Sequence, residues 1–181
     1  MSVDTVSNLI ETYNPMINIA SETPPFSDVS KLLKEFANKV RSLGGIEDEL
    51  LSYFKNNLNT KEWTDYDLWC IAAIEHPSEQ YIEYLLRALE EQECEFHNWR
   101  TLDVLAHMPE TVSKIAIPKL VQLIESNSPI WSEDIIDKAF ETLVWIGSDI
   151  GISFISKACD SSNKVVSEAA KYWNERLSEN S

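Results

Sequence analysis

Cys94 and His97 form a C-x-x-H pair, and His76 and His107 lie in neighbouring helical units. Thiolate and imidazole at that spacing are zinc-ligand chemistry. A zinc site takes about four convergent ligands, however, and the chain has no second cysteine pair. The pair therefore reads as a turn cysteine and a polar histidine. Carboxylates stand together at Asp65 and Asp67 and at Glu90 and Glu91. Paired carboxylates do the acid and base work of glycoside hydrolysis, but a chain with 30 Asp and Glu among 181 residues produces such pairs by chance on solvated faces. There is no G-x-S-x-G, P-loop or dinucleotide-binding glycine fingerprint, and Ser153, after Gly151, belongs to an apolar helix pattern. The sequence assigns no catalytic residue, no cofactor-binding residue and no metal ligand, so no cofactor is expected.

Charge is the stronger signal. Thirty acidic against 15 basic residues give a net charge of −15. Such a chain repels nucleic acid phosphates and anionic membranes and attracts a basic protein. Residues 61–110 hold 12 acidic and 3 basic residues, net −9, while residues 1–60 and 111–181 are each net −3. The densest run is Glu90-Glu91-Gln92-Glu93-Cys94-Glu95, with Tyr81, Tyr84, Phe96 and Trp99 on both sides. In the preceding helix Ile82, Leu85, Leu86 and Leu89 take the core, which leaves Glu83, Arg87 and Glu90 facing water and Tyr81, Tyr84 and Glu91 on a flank. Aromatic residues beside acid are what a hot spot for a basic partner looks like. The expected partner-binding set is Tyr81, Glu83, Tyr84, Glu90, Glu91, Glu93, Glu95 and Trp99, with Tyr84, Glu91 and Trp99 as anchors. The plain alternative is a soluble turn between helices.

The elements that carry these residues are helices. Only 4 Gly and 7 Pro occur, too few for a many-stranded fold, and the hydrophobic and charged shares of 44% and 25% suit a globular domain. A short first helix is expected around Val3, Val6, Leu9, Ile10 and Tyr13, stopped by Pro15 and by Pro24-Pro25. Residues 1–27 are accordingly set apart as a helix and connector, and 28–181 as a single helical-repeat domain. Helices are then expected over about 28–43 and 46–58, and from a cap at Thr64 to about Glu75. Others follow a cap at Ser78, over about 98–108 and about 113–126, from Ser132 to Gly147, and over about 149–159 and 163–177. Nine or ten helices result, none longer than about 17 residues. Trp145 and Trp173 fall among apolar positions and read as core. Trp63 and Trp131 precede caps and read as staples, on Leu68 and Ile136.

Three widely spaced cysteines fit reduced thiols in a cytosol. The opening Met1-Ser2-Val3-Asp4 lacks the basic region of a targeting signal, and no stretch approaches the ~18 apolar residues of a membrane span. The expected location is cytoplasmic; the oligomeric state is left open.

Three segments look alike: LWCIAAIEHP from Leu68, RTLDVLAHMP from Arg100 and AFETLVWIG from Ala139. Their breakers Pro77, Pro109 and Gly147 lie 32 and 38 residues apart, a spacing that stacked helix pairs produce. In Ile115-Ala116-Ile117-Pro118-Lys119-Leu120-Val121-Gln122-Leu123-Ile124 the chain resembles the second helix of a HEAT unit. A mild kink is expected at Pro118. The resemblance covers about 62–177 and implies an all-α, right-handed α-solenoid of stacked antiparallel helix pairs, whose second helices commonly line the binding face. The chain departs from the family in its variable repeat length and in lacking regularly placed Arg and Asp. It also looks like the small acidic bacterial immunity proteins, some of them HEAT-like. That resemblance implies a non-enzymatic antidote that binds a basic toxin domain of the nuclease type. A HEAT-like adaptor or regulatory subunit is the other reading. A HEAT-like DNA glycosylase is disfavoured, because it needs a basic groove.

Overall fold

Val6, Leu9, Ile10, Tyr13 and Ile17 recur at helical spacing, and all five are buried on one face of the first helix. The computed structural model describes residues 5–22, 24, 27–57, 63–91, 94–126 and 131–179, and among them there is no strand. The elements are α1 (Val6–Glu22), α2 (Ser27–Arg41), α3 (Glu47–Asn56), α4 (Trp63–Glu75), α5 (Ile82–Glu91), α6 (Glu95–His107), a single turn α7 (Glu110–Ser113), α8 (Ile117–Glu125), α9 (Glu133–Ile146), α10 (Asp149–Ala158) and α11 (Lys164–Glu179). Short 3-10 turns, Glu79–Tyr81 and Lys114–Ala116, lead into α5 and α8. Ten of these α-helices have nine residues or more, in keeping with the expected number.

The anticipated start and stop signals operate in several places. The Ser132 hydroxyl accepts from the Ile135 amide at 3.3 Å, capping α9. Gly147 ends the same helix at φ +67°, a conformation that glycine adopts without strain. Trp131, just before the Ser132 cap, is buried, and its Nε1 donates to the Leu89 carbonyl of α5 at 2.9 Å.

Three expectations are corrected. Pro15 does not stop α1, which continues for seven residues beyond it. An interior proline costs about 3 kcal/mol, and burial of each large apolar side chain returns about 1.5–3 kcal/mol, so the buried face that includes Ile17 outweighs the breaker. The continuous helix expected over about 113–126 is divided by a 3-10 turn, so Pro118 falls in the first two positions of α8. There its missing amide costs no helical hydrogen bond. Finally, α4 is already helical at Trp63, which places Thr64 in its first turn rather than at its cap. The Trp63 staple and Leu58 lie outside the described side chains.

The helices pack in two rows. In one, α2, α4, α6, α9 and α11 are successive neighbours; in the other, α3, α5, α8 and α10 are; α1 covers α2 and α4. Polar contacts across the first row keep a similar offset. Arg41 reaches Glu75, Tyr66 meets Thr101, Arg100 meets Asp67, Lys138 meets Asp103, Thr142 meets the Leu102 carbonyl and Trp173 meets Asp137, always 33 to 40 residues apart. Between the rows lies one hydrophobic cluster that extends from Val6 to Trp173.

Candidate functional site

Residues 95, 96, 99 and 103 share one face of α6, and residues 134, 137, 141 and 145 share one face of α9. The two helices run parallel. Glu95 accepts from the Ser132 hydroxyl near their starts, Lys138 meets Asp103 midway, and His107 stacks on Trp145 near their ends, with ring centroids 6.5 Å apart. Between them opens a groove of about 670 Å³ lined by Cys94, Glu95, Phe96, Trp99, Asp134, Asp137, Lys138 and Glu141. Four carboxylates thus face one ammonium, and that ammonium is already engaged.

A ladder of alternating charge underlies the groove. Arg100 Nε lies 2.5 Å from Asp67 Oδ1 of α4, and Arg100 Nη1 lies 3.4 Å from Asp103. Lys138 Nζ lies 3.3 Å from Asp103 and 2.9 Å from Glu141, with its side chain only 7% exposed. Both cations also sit over Trp99, Arg100 at 5.3 Å and Lys138 at 4.3 Å from the ring centroid. Desolvation sets the tone here: burial raises the Asp67 carboxyl above its ordinary value in spite of Arg100.

Of the expected partner-binding residues, Glu95 and Trp99 line this groove. Glu83, Glu90 and Glu91 are exposed and Tyr84 half-buried on α5, which belongs to the other row. Their acid is partly neutralised, Glu90 by Lys119 of α8 and Glu91 by Arg87 at 3.5 Å. Glu93 lies outside the described residues. Tyr81 is corrected: it is fully buried, its ring 5.8 Å from Phe54, and burial with Glu47 and Asp48 nearby pushes its hydroxyl up to about 12. The cause is local. Tyr81 stands four residues before Leu85 and eight before Leu89, so helical spacing itself puts it on the buried stripe of α5 rather than on a flank. Trp145 is corrected in the opposite sense, being 69% exposed where core was expected. Trp173 is buried as expected, with Nε1 donating to Asp137 at 2.8 Å.

The sequence reading left out Asp134, Asp137, Glu141 and Trp145 as surface residues. They belong to the third of the chain with little net charge, and only the packing of α9 on α6 brings them beside Glu95 and Trp99. A signal existed in the repeat of a basic residue followed three positions later by an acidic one, Arg100 and Asp103, then Lys138 and Glu141, 38 residues on.

The histidines do not converge. His76 Nε2 pairs with the Val40 carbonyl at 2.9 Å, His107 Nδ1 with the Asp103 carbonyl at 2.8 Å, and His97 is buried against Tyr66, ring centroids 4.5 Å apart. Among the described residues no group of three or more His, Cys, Asp or Glu is placed to hold a metal ion, and no helix is long and apolar enough to cross a membrane.

His97 has a measurable consequence. It is fully buried, neither ring nitrogen has a hydrogen-bond partner, and burial lowers its pKa from 6.5. Its native value lies below its unfolded one, so the unfolded chain takes up the proton first. Stability is then complete above about pH 6.5 and declines as pH falls toward the native value, with a slope approaching one proton. Asp67 acts with the opposite sign, because its native value is raised from 3.8. Urea midpoints for His97→Leu should be flat between pH 7 and pH 5.5 where the parent declines; parallel curves would rule the account out.

Compared with family models, curated proteins and solved structures, the chain matches none.

Proposed function

We propose that this chain is a binding module for a basic protein, without chemistry of its own, and that it serves as an immunity protein holding a bacterial toxin domain of the nuclease type inactive. The observation that carries this reading is the groove between α6 and α9, where Glu95, Asp134, Asp137 and Glu141 lie beside the exposed rings of Phe96 and Trp99. Carboxylates steer a cationic protein into encounter, and exposed aromatics supply the desolvated anchors that hold it. We read the two rows as a right-handed α-solenoid of the HEAT type. The offset of 33 to 40 residues and the charge ladder support that arrangement. The cysteines are not disulfide-bonded, in keeping with a cytoplasmic site of action.

The test is co-expression with the product of the gene directly preceding this one in the source genome. That product should arrest growth when expressed alone, this chain should relieve the arrest, and the two should purify as an equimolar complex. Association should slow as salt shortens the Debye length from about 10 Å at 0.1 M to about 3 Å at 1 M. A neighbour that is harmless, or that forms no complex, removes the immunity reading in favour of an adaptor for another basic protein.

A further inference from the structure

We propose that the chain pairs with a second copy of itself through α10. The two helices lie antiparallel about a two-fold axis near Ser153, and each Asp149 meets Lys157 of the other copy. The inference goes beyond the binding-module reading and does not rest on it.

Charge selects the occupant of this face. Copies of a chain with net charge −15 repel one another, and their contact is opposed least where a surface carries no net charge. α7, the turn after it and α8 hold Glu110, Lys114, Lys119 and Glu125, while α10 holds Asp149 and Lys157, so these elements carry three acids and three bases. A basic protein is drawn to the carboxylates between α6 and α9 and finds no such attraction here. The face is also apolar. Ile150 is 64% exposed, Ile152 is exposed beside it, and Ile150 lines a groove of about 600 Å³ between α8 and α10 with Pro118, Val121 and Phe154.

The two ends of α10 complement each other. Asp149, Ser153 and Lys157 recur every four residues, which makes them one ridge on the helix surface, and all three line the groove. Among the described residues neither Asp149 nor Lys157 forms an ion pair, whereas Lys114 is held by Glu110 and Lys119 by Glu90. The two cannot meet within one helix, where eight residues span about 12 Å. A two-fold axis at the middle of the ridge brings each to its opposite in the second copy, because an isologous contact uses the same patch twice. Only the antiparallel arrangement pairs them, since the acid stands at one end of α10 and the base at the other. Ser153 and Ser156, small and exposed, let the two helices approach closely.

Sedimentation of the full chain from about 1 μM to about 1 mM tests the pairing. The parent should form a dimer. Its dissociation constant should fall with added salt, as the Debye length shortens from about 10 Å at 0.1 M to about 3 Å at 1 M and the repulsion between the two bodies is screened. That trend is the reverse of the one expected for a basic partner. Asp149→Lys and Lys157→Asp each set like charges together at both contacts and should weaken the dimer at least about ten-fold. Both changes also oppose the dipole of α10, so the two variants are then mixed. Each contact regains one lysine and one aspartate, and a heterodimer should form about as strongly as the parent dimer. Ile150→Ser should weaken the parent dimer, whereas Ile19→Ser, at a similarly exposed isoleucine of α1, should not. The proposal is overturned by a parent that stays monomeric at both salt concentrations or by a dimer that weakens with salt. It is overturned equally by a mixture of the folded charge variants no more associated than either alone, or by a dimer as sensitive to Ile19→Ser as to Ile150→Ser. Self-association is read on this chain alone, so its failure leaves the growth-arrest test of the immunity reading untouched.

Discussion

Replacing Asp103 with alanine is expected to lower stability by about 3 kcal/mol, the low end of what removing one member of a buried ion pair costs. Asp103 joins Arg100 to Lys138, and the lysine it leaves behind is only 7% exposed and keeps Glu141 alone. The size of the effect comes from the stranded ammonium rather than from any intrinsic strength of the pair. Lys138→Met in the Asp103→Ala background should therefore recover part of the loss. Glu110→Ala is the control, since its ion pair with Lys114 joins side chains 59% and 51% exposed and should change stability by less than about 0.5 kcal/mol. Urea denaturation of the four proteins decides the matter. If Asp103→Ala costs no more than Glu110→Ala, the ladder is a surface decoration.

Phe140→Ala should be at least as damaging, at about 3–5 kcal/mol. Phe140 is fully buried and its ring stacks on Phe154 of α10, centroids 5.9 Å apart, so truncation opens a cavity where the two rows meet. Trp145→Ala, five residues along the same helix, should cost less than about 0.5 kcal/mol, because the larger ring is mostly in solvent. The comparison is informative because residue type alone ranks the two the other way. A tryptophan variant as unstable as the phenylalanine variant would return Trp145 to the core.

That ranking shows where the sequence was legible and where it was not. The caps and breakers act over three or four residues, so Ser132 and Gly147 mark the ends of α9 without reference to anything distant. Phase was legible too. Ile136, Ala139, Phe140, Leu143 and Ile146 define the buried stripe of α9, and position 145 lies off it, in line with 134 and 141. The expectation of a buried Trp145 followed residue type against phase, and phase prevailed. Pro15 failed for a different reason: its cost is local and visible, while the burial that offsets it depends on how α1 packs against α2 and α4. The groove was the least legible part. The acidic run around Glu90 to Glu95 drew attention to α5, yet ion pairs with Lys119 and Arg87 quiet two of its members. Asp134, Asp137 and Glu141 raise no alarm in a segment of low net charge, and only the parallel register of α9 on α6 brings them to Glu95 and Trp99.

The similar offset between successive helices of the first row also bears on how the chain acquires its shape. Contacts that close loops of 33 to 40 residues cost nearly the same configurational entropy wherever they form, since that cost grows only with the logarithm of loop length. No early step has to bring the two ends of the chain together. Nucleation should begin where neighbouring helices interlock most fully, at α6 and α9, and spread outward one helix at a time in both directions. The outermost helices then join last and leave first, so hydrogen exchange should be fastest in α11 and slowest around Leu102, Leu105, Phe140 and Leu143.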